Sequence, residues 1–272
     1  MLDVELEWPD LRGQRVLVVG MGGGCDVISA YALGRLLGDR GAERVAYANT
    51  KTSKPVGMEP LSSHVYSFRA RHDAPYKCVE EMVPRDPSGS PLLVYFPKSL
   101  PPRDLAAEYE ELGFDLVVGV DNGGDCLVEG ALSGPNGRDK RTWRVLEACS
   151  VPTLAFVFGP CSDGESTFEQ FLASFLEQRE KGAYFGCFSL RPLLPVMARL
   201  AGGLSSSRTP NIIAQAAGHL PCNWPEGFGH VAAGKFRVIR GVNPEVPVEW
   251  ITRAFAFSPA ASGAPQNSAP SG

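Results

Sequence analysis

A short apolar run, Arg15-Val-Leu-Val-Val-Gly20, is followed by three glycines at 22–24 and then by an apolar stripe over residues 26–37. Branched apolar residues without polar alternation favour a strand that is buried on both faces, and apolar positions spaced three or four apart favour a helix. Glycines at 38 and 41 end the helix, and a second strand is predicted from Arg44. The segment therefore predicts a right-handed unit of strand, helix and parallel strand.

The same alternation recurs along the rest of the chain and defines the fold class. Further strands are predicted at 92–96, 115–120 and 153–158, and helices at 103–112, 141–148 and 165–181. Beyond them we expect helices at 190–200 and 211–217, and a last strand near 236–239 that returns to the sheet. This order predicts an α/β protein with a Rossmann-like doubly wound, mostly parallel sheet and helices on both faces.

One domain is expected over residues 1–257. Residues 49–91 are rich in proline, serine and charge and contain one weak strand near 65–68, so we expect them to form an excursion at the sheet edge. Residues 258–272 consist of small and polar residues with proline, and they are predicted to be a disordered tail.

Composition restricts the partners. The formal charge of −4 and the scattered lysines and arginines argue against nucleic acid and membrane surfaces as partners. No apolar run approaches the roughly 20 residues of a membrane span, and the seven cysteines form no CxxC pair, so we expect a cytoplasmic protein with reduced thiols. The expected partner is a small molecule, and the sequence leaves a homo-oligomer open.

Three unusual loops follow predicted strands, at residues 20–26, 121–125 and 159–165. The carboxyl ends of parallel strands meet at one edge of a sheet, which is where open α/β folds bind ligands. The three loops are therefore predicted to share one site.

The first loop resembles a phosphate-binding or dinucleotide-binding turn. Its candidate ligand-binding residues are Gly20, Gly22, Gly23, Gly24 and Asp26. The fit to GxGxxG is incomplete, because a cysteine at 25 replaces the third glycine and no acid follows the second strand at 48–50. Lys51 and Lys54 keep NADP open as a ligand, whereas simple capping of the following helix is the alternative for Asp26.

The second loop carries Asp121 and Asp125 around Asn122, Gly123 and Gly124. Oxygen ligands of this kind suit Mg²⁺ or Mn²⁺, so Asp26, Asp121 and Asp125 are the predicted metal ligands. Asn122, Gly123 and Gly124 are predicted to contact the bound cofactor or substrate. The alternative is a turn in which Asp125 caps a helix.

The third loop adds Asp163 and Glu165 at the start of a predicted helix, where acids are favoured by the helix dipole alone. Three acidic loops at one sheet edge are harder to attribute to capping, because their mutual repulsion must be offset by a cation, a basic ligand or protons. Each loop also holds a cysteine, at 25, 126 and 161, for which apolar packing is the expectation and a thiolate metal ligand or nucleophile the alternative.

In these same three places the sequence resembles an uncharacterised, largely archaeal family catalogued as domain of unknown function 1152. The similar motifs are a glycine-rich turn ending in Asp-Val at 22–27, a Val-Gly-Val-Asp-x-Gly-Gly-Asp stretch at 118–125 and a Phe-Gly-Pro turn leading to Asp-Gly-Glu at 158–165. The sequence departs from the family pattern at Cys25 and at Cys161-Ser162. The resemblance implies a Rossmann-like fold with these loops as the site, and it implies no activity.

The leading functional hypothesis is a metal-assisted hydrolase or transferase that acts on a small phosphorylated or nucleotide-like metabolite. The predicted catalytic residues are Asp121, Asp125, Asp163 and Glu165, and Asp163 or Glu165 would act as the base. One alternative is an NAD(P)-dependent oxidoreductase that uses Gly20, Gly22 and Gly24. Another is a non-catalytic ligand-binding protein.

Overall fold

The structure is a computed structural model that describes residues 4–68, 79–84, 91–205, 208–220 and 229–260, without the side chains of 229–232. Its strands are β1 Arg15–Gly20, β2 Arg44–Lys51, β3 Glu59–Pro60, β4 Val65–Ser67, β5 Leu92–Tyr95, β6 Leu116–Asn122, β7 Thr153–Phe158, β8 Tyr184–Ser189, β9 Gly229–Ala232, β10 Lys235–Val238, β11 Glu245–Pro247 and β12 Arg253–Phe257. Its helices are α1 Asp26–Asp39, α2 Pro102–Glu111, α3 Arg138–Ala148, α4 Phe168–Glu180, α5 Leu194–Ala201, α6 Thr209–Ala216 and α7 Val248–Ile251, with a 3₁₀ turn at Val79–Met82.

Nine strands form the central sheet in the order β3-β4-β5-β2-β1-β6-β7-β12-β8. Its five middle strands, from β5 to β7, are parallel to one another. The strands β4 and β12 extend it on either side as antiparallel neighbours of β5 and β7. The predicted α/β fold with a mostly parallel, doubly wound sheet is confirmed.

Helices cover both faces of this sheet, as β1 shows most clearly. Val16 and Val18 pack in one core cluster with residues of α1 and α5, whereas Leu17 and Val19 pack in the other with residues of α2, α3 and α4. Because both faces are buried, the strand needs apolar residues at every position, which explains its unbroken apolar sequence. In the described parts of the chain, no helix combines the length and apolar character needed to cross a membrane.

The last predicted strand, near residues 236–239, does not return to the central sheet. It is β10, the middle strand of a separate three-stranded antiparallel sheet with β9 and β11. Exposed and buried residues alternate along β10, as expected for a strand with one solvated face. The strand that does return is β12, which is buried at four of its five positions and lies between β7 and β8.

The predicted edge excursion is found in part. Strand β2 runs to Lys51, and the short hairpin of β3 and β4 then joins the edge of the sheet through β5. Residues 69–78 and 85–90 of the excursion, and residues 261–272 of the predicted tail, lie outside the described residues.

Candidate functional site

The three acidic loops leave three neighbouring strands, β1, β6 and β7, at the same edge of the sheet. Backbone hydrogen bonds tie the second and third loops together. The Gly123 N–H donates to the Phe158 carbonyl at 3.0 Å, and the Cys161 N–H donates to the Gly123 carbonyl at 2.6 Å. The structure therefore brings the three predicted loops side by side.

Asp26 does not cap helix α1. The N-cap position is Cys25, which makes no side-chain capping bond. One oxygen of Asp26 accepts the Gly22 N–H at 2.8 Å, and the other accepts the Asn122 side-chain amide at 2.9 Å. The amide of Asn122 is itself fixed, because its oxygen accepts the Ser29 hydroxyl at 2.7 Å. Asp26 is thus held between the first and second loops.

A further acid, Asp139, enters the site from the first turn of helix α3 and was not among the sequence candidates. The Thr142 hydroxyl, one turn later on the same helix face, donates to the Met21 carbonyl at 2.9 Å and so fixes α3 against the first loop. A Cβ at Gly22 would lie 2.3 Å from the nearer Asp139 oxygen. Only glycine at position 22 leaves room for this carboxylate.

Carboxylate oxygens of Asp26, Asp121 and Asp139 lie within 4.8 Å of one another. Two oxygens bound to one Mg²⁺ are separated by about 3 Å when adjacent and about 4.2 Å when opposite, because each metal–oxygen bond is about 2.1 Å. The three side chains could therefore bind one such ion with small movements. Asp26 and Asp121 are buried, whereas Asp139 is partly exposed. Water or substrate oxygens could therefore complete the coordination of the ion on the side of Asp139.

Asp125, the third metal ligand predicted from the sequence, lies beside this group and is not one of the three. Its side chain is 3% exposed, and its Oδ2 atom makes no hydrogen bond with the described residues. Its negative charge is close enough to raise the pKa of Asp26, Asp121 and Asp139. A buried carboxylate oxygen without a partner needs a proton, a cation or a ligand atom.

Asp163 and Glu165 complete the acidic group from the third loop. A Cβ at Gly123 would lie 2.1 Å from an Asp163 oxygen, so this carboxylate fills the space beside the second loop. The other Asp163 oxygen accepts the Glu165 N–H at 3.0 Å. Glu165 is partly buried, and its charge raises the pKa of Asp125 and Asp163.

Helix capping does not explain the acids of the second and third loops. Helix α4 begins after Thr167, which forms a reciprocal capping box with Gln170, so Asp163 and Glu165 lie outside its cap. Asp125 lies in a turn after β6, and the next helix begins only at Arg138. These acids are therefore available for another role.

Burial and mutual repulsion disfavour the charged form of every aspartate in the group. Burial, followed by the charge of Asp125, raises the pKa of Asp26 to about 7 despite its two hydrogen bonds. Burial raises the pKa of Asp125 to about 6, although the nearby Ser133 hydroxyl and Lys140 lower it. Burial and neighbouring carboxylates raise the pKa of Asp121, Asp139 and Asp163 well above the usual range. In a group of five such acids, either protons or a bound cation would offset the mutual repulsion of the carboxylates.

The stability of the metal-free protein should fall as the pH rises from about 4 to about 7. The raised pKa values of Asp26 and Asp125 mean that the folded state binds more protons than the unfolded state in this range, so the free energy of unfolding decreases with pH. Urea unfolding in EDTA at a series of pH values measures this slope, and Mg²⁺ should reduce it. A stability that stays level or rises over this range would contradict the prediction.

The predicted glycines have different roles in the structure. Gly23 and Gly24 have positive φ angles of 78° and 57°, which only glycine adopts without strain, and they shape the first turn. A Cβ at Gly20 would meet the Asn49 side chain at 2.7 Å, and one at Gly124 would meet Val157 at 2.8 Å. Gly20 and Gly124 are therefore needed for close packing, in addition to their place in the loops.

A buried polar cluster lies at the end of β2, the place where an NADP-binding protein would hold the 2′-phosphate of its cofactor. Glu80, on the 3₁₀ turn, is fully buried, accepts the Asn49 amide and pairs with the Lys51 ammonium group at 2.5 Å. Lys51 is thus held by a carboxylate, which would compete with a 2′-phosphate for it. This arrangement does not favour NADP at the end of β2.

The three loop cysteines are buried and lie outside the group of potential ligand atoms. Burial raises the pKa of Cys25 to about 11 and that of Cys161 to about 12, and it also raises the pKa of Cys126 well above the ordinary value of a thiol. At neutral pH all three are thiols, and the thiolate needed for a metal ligand or nucleophile is disfavoured.

Comparisons with known proteins add no identification. No model of a known protein family matches the chain, and no curated protein matches it either. The resemblance to domain of unknown function 1152 therefore stays a prediction.

Proposed function

We propose that this protein is a divalent-metal-dependent hydrolase or transferase that acts on a small phosphorylated or nucleotide-like metabolite. The observation that carries the proposal is the group formed by Asp26, Asp121 and Asp139, whose oxygens lie within 4.8 Å of one another. The buried Oδ2 atom of Asp125, which makes no hydrogen bond with the described residues, is a second observation that supports a cation or a ligand at this place. We also propose membership of the family catalogued as domain of unknown function 1152, on the three shared loop motifs.

The residues of the acidic group would have different roles in the reaction. Asp26, Asp121 and Asp139 would hold Mg²⁺ or Mn²⁺, which when bound polarises a phosphoryl oxygen and neutralises charge that develops during the reaction. Asp125 would accept a proton from the attacking water or substrate hydroxyl, because it lies beside the three ligands and its buried Oδ2 atom makes no hydrogen bond with the described residues. Asp163 and Glu165 are the other candidates for this base, and Glu165 is partly exposed.

Mn²⁺ binding tests the metal centre directly. Calorimetric titration of EDTA-treated, dialysed protein should give one site per chain, and Asp139→Asn should weaken it by on the order of 100-fold, because loss of a ligand should cost at least as much as loss of an outer-shell partner. Glu147→Gln is the matched control, since Glu147 lies on the same helix, is exposed and accepts a hydrogen bond from Trp143 that glutamine can also accept.

Two results would separate the alternatives. If the parent binds no Mn²⁺ at millimolar concentration, or if Asp139→Asn binds it like the parent, the metal centre is wrong. If Mn²⁺ binds but the loaded protein turns over nothing in panels of phosphoesters, nucleotides and sugar phosphates, a non-catalytic ligand-binding protein becomes the better description.

A further inference from the structure

We infer that Ser29, Asn122 and Thr50 are positioning residues that fix the Asp26 carboxylate and thereby make the metal centre select Mg²⁺ or Mn²⁺ over Ca²⁺. The inference deepens the proposed function and rests on it, because it assigns the choice of metal at the proposed centre. It depends on two hydrogen-bonded paths, one to each oxygen of Asp26, and each path ends in a buried hydroxyl group.

The first path holds the Oδ1 atom of Asp26. The side-chain amide of Asn122 donates to this oxygen at 2.9 Å, and the Ser29 hydroxyl donates to the amide oxygen of Asn122 at 2.7 Å. Because the Ser29 hydroxyl proton is directed at the amide oxygen, the N–H groups of the same amide are turned toward Asp26. Ser29 therefore sets the direction of a hydrogen bond in which it takes no part.

The second path holds the Oδ2 atom of Asp26 and runs through a single peptide group. The Gly22 N–H donates to this oxygen at 2.8 Å, and the carbonyl of the same peptide group, that of Met21, accepts the Thr50 hydroxyl at 2.7 Å. A peptide group is planar, so a bond that fixes its carbonyl also fixes its N–H. Linked hydrogen bonds of this kind also strengthen one another. Thr50 therefore orients Asp26 through the peptide group between Met21 and Gly22.

Both paths lie in the interior of the protein. Ser29 and Thr50 are fully buried, Asn122 is 4% exposed and Asp26 is 7% exposed. Rotation of the carboxylate toward an ion would break one of these bonds, and a buried donor that loses its partner is costly. The Asp26 carboxylate is therefore fixed in place before an ion binds.

A rigid carboxylate ligand favours the smaller ions. Mg²⁺ requires a near-ideal octahedron of oxygens at about 2.0 to 2.1 Å, whereas Ca²⁺ takes about six to eight oxygens at about 2.3 to 2.6 Å in flexible geometry. Mn²⁺ shares the octahedral oxygen coordination of Mg²⁺. A centre with a fixed Asp26 therefore fits Mg²⁺ or Mn²⁺, and loosening Asp26 should relax this preference.

Calorimetric titrations of Mn²⁺ alone and of Ca²⁺ alone into the metal-free full-length chain test the inference. The parent should bind Mn²⁺ more tightly than Ca²⁺. Thr50→Val keeps the shape of the side chain without its hydroxyl, and Ser29→Ala removes the hydroxyl of the other path, so each should weaken Mn²⁺ binding by about 10- to 100-fold. Binding of Ca²⁺ should weaken less, so the ratio of the Mn²⁺ to the Ca²⁺ affinity should fall about tenfold. Thr153→Val is the matched control and should bind like the parent, because Thr153 is buried at the start of β7, at the end remote from the acidic loops.

A double variant tests the order of the first path. Asn122→Leu removes the donor to Asp26, so Ser29→Ala should have little further effect on Mn²⁺ binding in that background. Equal effects of Ser29→Ala with and without Asn122→Leu would overturn the first path. Circular dichroism shows whether each variant is folded, and Thr50→Val, which changes the shape least, tests the inference if Asn122→Leu does not fold.

The outcomes separate this inference from the proposed function. A parent that binds neither ion at millimolar concentration would overturn the proposed metal centre, and this inference with it. A parent that binds Mn²⁺, together with Thr50→Val and Ser29→Ala variants that keep the parent's ratio of Mn²⁺ to Ca²⁺ affinity, would overturn the inference and leave the metal centre intact. A parent that prefers Ca²⁺ would do the same, because a fixed Asp26 would then not decide the choice of metal.

Discussion

Replacement of Asp121 by asparagine is expected to weaken stabilisation by divalent metal strongly and, at the same time, to stabilise the metal-free protein. Asp121 is 1% exposed, and burial together with the charges of Asp125, Asp26 and Asp163 raises its pKa well above the ordinary value. Each unit of such a rise costs about 1.4 kcal/mol of folding free energy once the pH exceeds the raised pKa. Asparagine removes that cost and can keep the hydrogen bond from the Cys126 N–H, which Asp121 accepts at 2.9 Å.

Thermal and urea unfolding with EDTA and with Mn²⁺ measure both effects. At about pH 7.5 the metal-free variant should gain about 1 kcal/mol or more relative to the parent, and its metal affinity should fall by on the order of 100-fold or more. Asp115→Asn is the control for the metal response, because Asp115 is a partly exposed acid paired with Arg15 at the opposite end of β6. An equal response to Mn²⁺ by the parent and Asp121→Asn would remove Asp121 from the metal centre.

Gly123→Ala should be among the most destabilising single substitutions in the described part of the chain. Gly123 has a φ of 117°, which is strained for any side chain, and its added Cβ would lie 2.1 Å from an Asp163 oxygen. Strain and collision together should cost about 2 to 4 kcal/mol of folding free energy. Urea unfolding of the metal-free protein measures this loss.

Two further variants isolate the causes. Gly41→Ala is the comparison for strain, because Gly41 has a similar φ of 102° and its Cβ would meet only the flexible Arg12 side chain, at 3.4 Å, so this variant should show mainly the strain, about 1 to 3 kcal/mol. Asp163→Ala removes the colliding carboxylate, so Gly123→Ala should cost less in that background. Additive effects of Gly123→Ala and Asp163→Ala would mean that the two side chains do not meet as the structure indicates.

The fold was largely predictable because the central strands can be recognised from their local sequence alone. The bounds of β1 and β7 agree with the predicted ones, since both are short apolar runs between turn residues. The prediction failed at the far side of the sheet, where β12 and β8 were missed. Strand β12 becomes a central strand only because β7 and β8 pair with it from both sides, and those contacts join residues far apart in sequence.

The site was predictable where it depends on strand ends and not where it depends on helix packing. The loops at β1, β6 and β7 meet because parallel strands end at one edge, so Asp26 and Asp121 could be placed together from the sequence. Asp139 could not, because it follows β6 by 17 residues and reaches the site only through the docking of α3 on Met21. In the sequence, Asp139 is only an acid in the first turn of a helix. Acids are common at such positions because the helix dipole stabilises them, so the position alone does not indicate a site.

The hydrogen bonds that join the second and third loops limit how a metal ion could enter or leave the acidic group. Gly123 uses both its N–H and its carbonyl to tie these loops together, so parting them would leave buried backbone groups unpaired. The second and third loops should therefore stay together, whereas Asp139 on helix α3 is partly exposed and can be reached by solvent. We therefore expect the exchange rate of a bound ion to depend on how often the first turn of helix α3 unfolds, and not on movement of the strands.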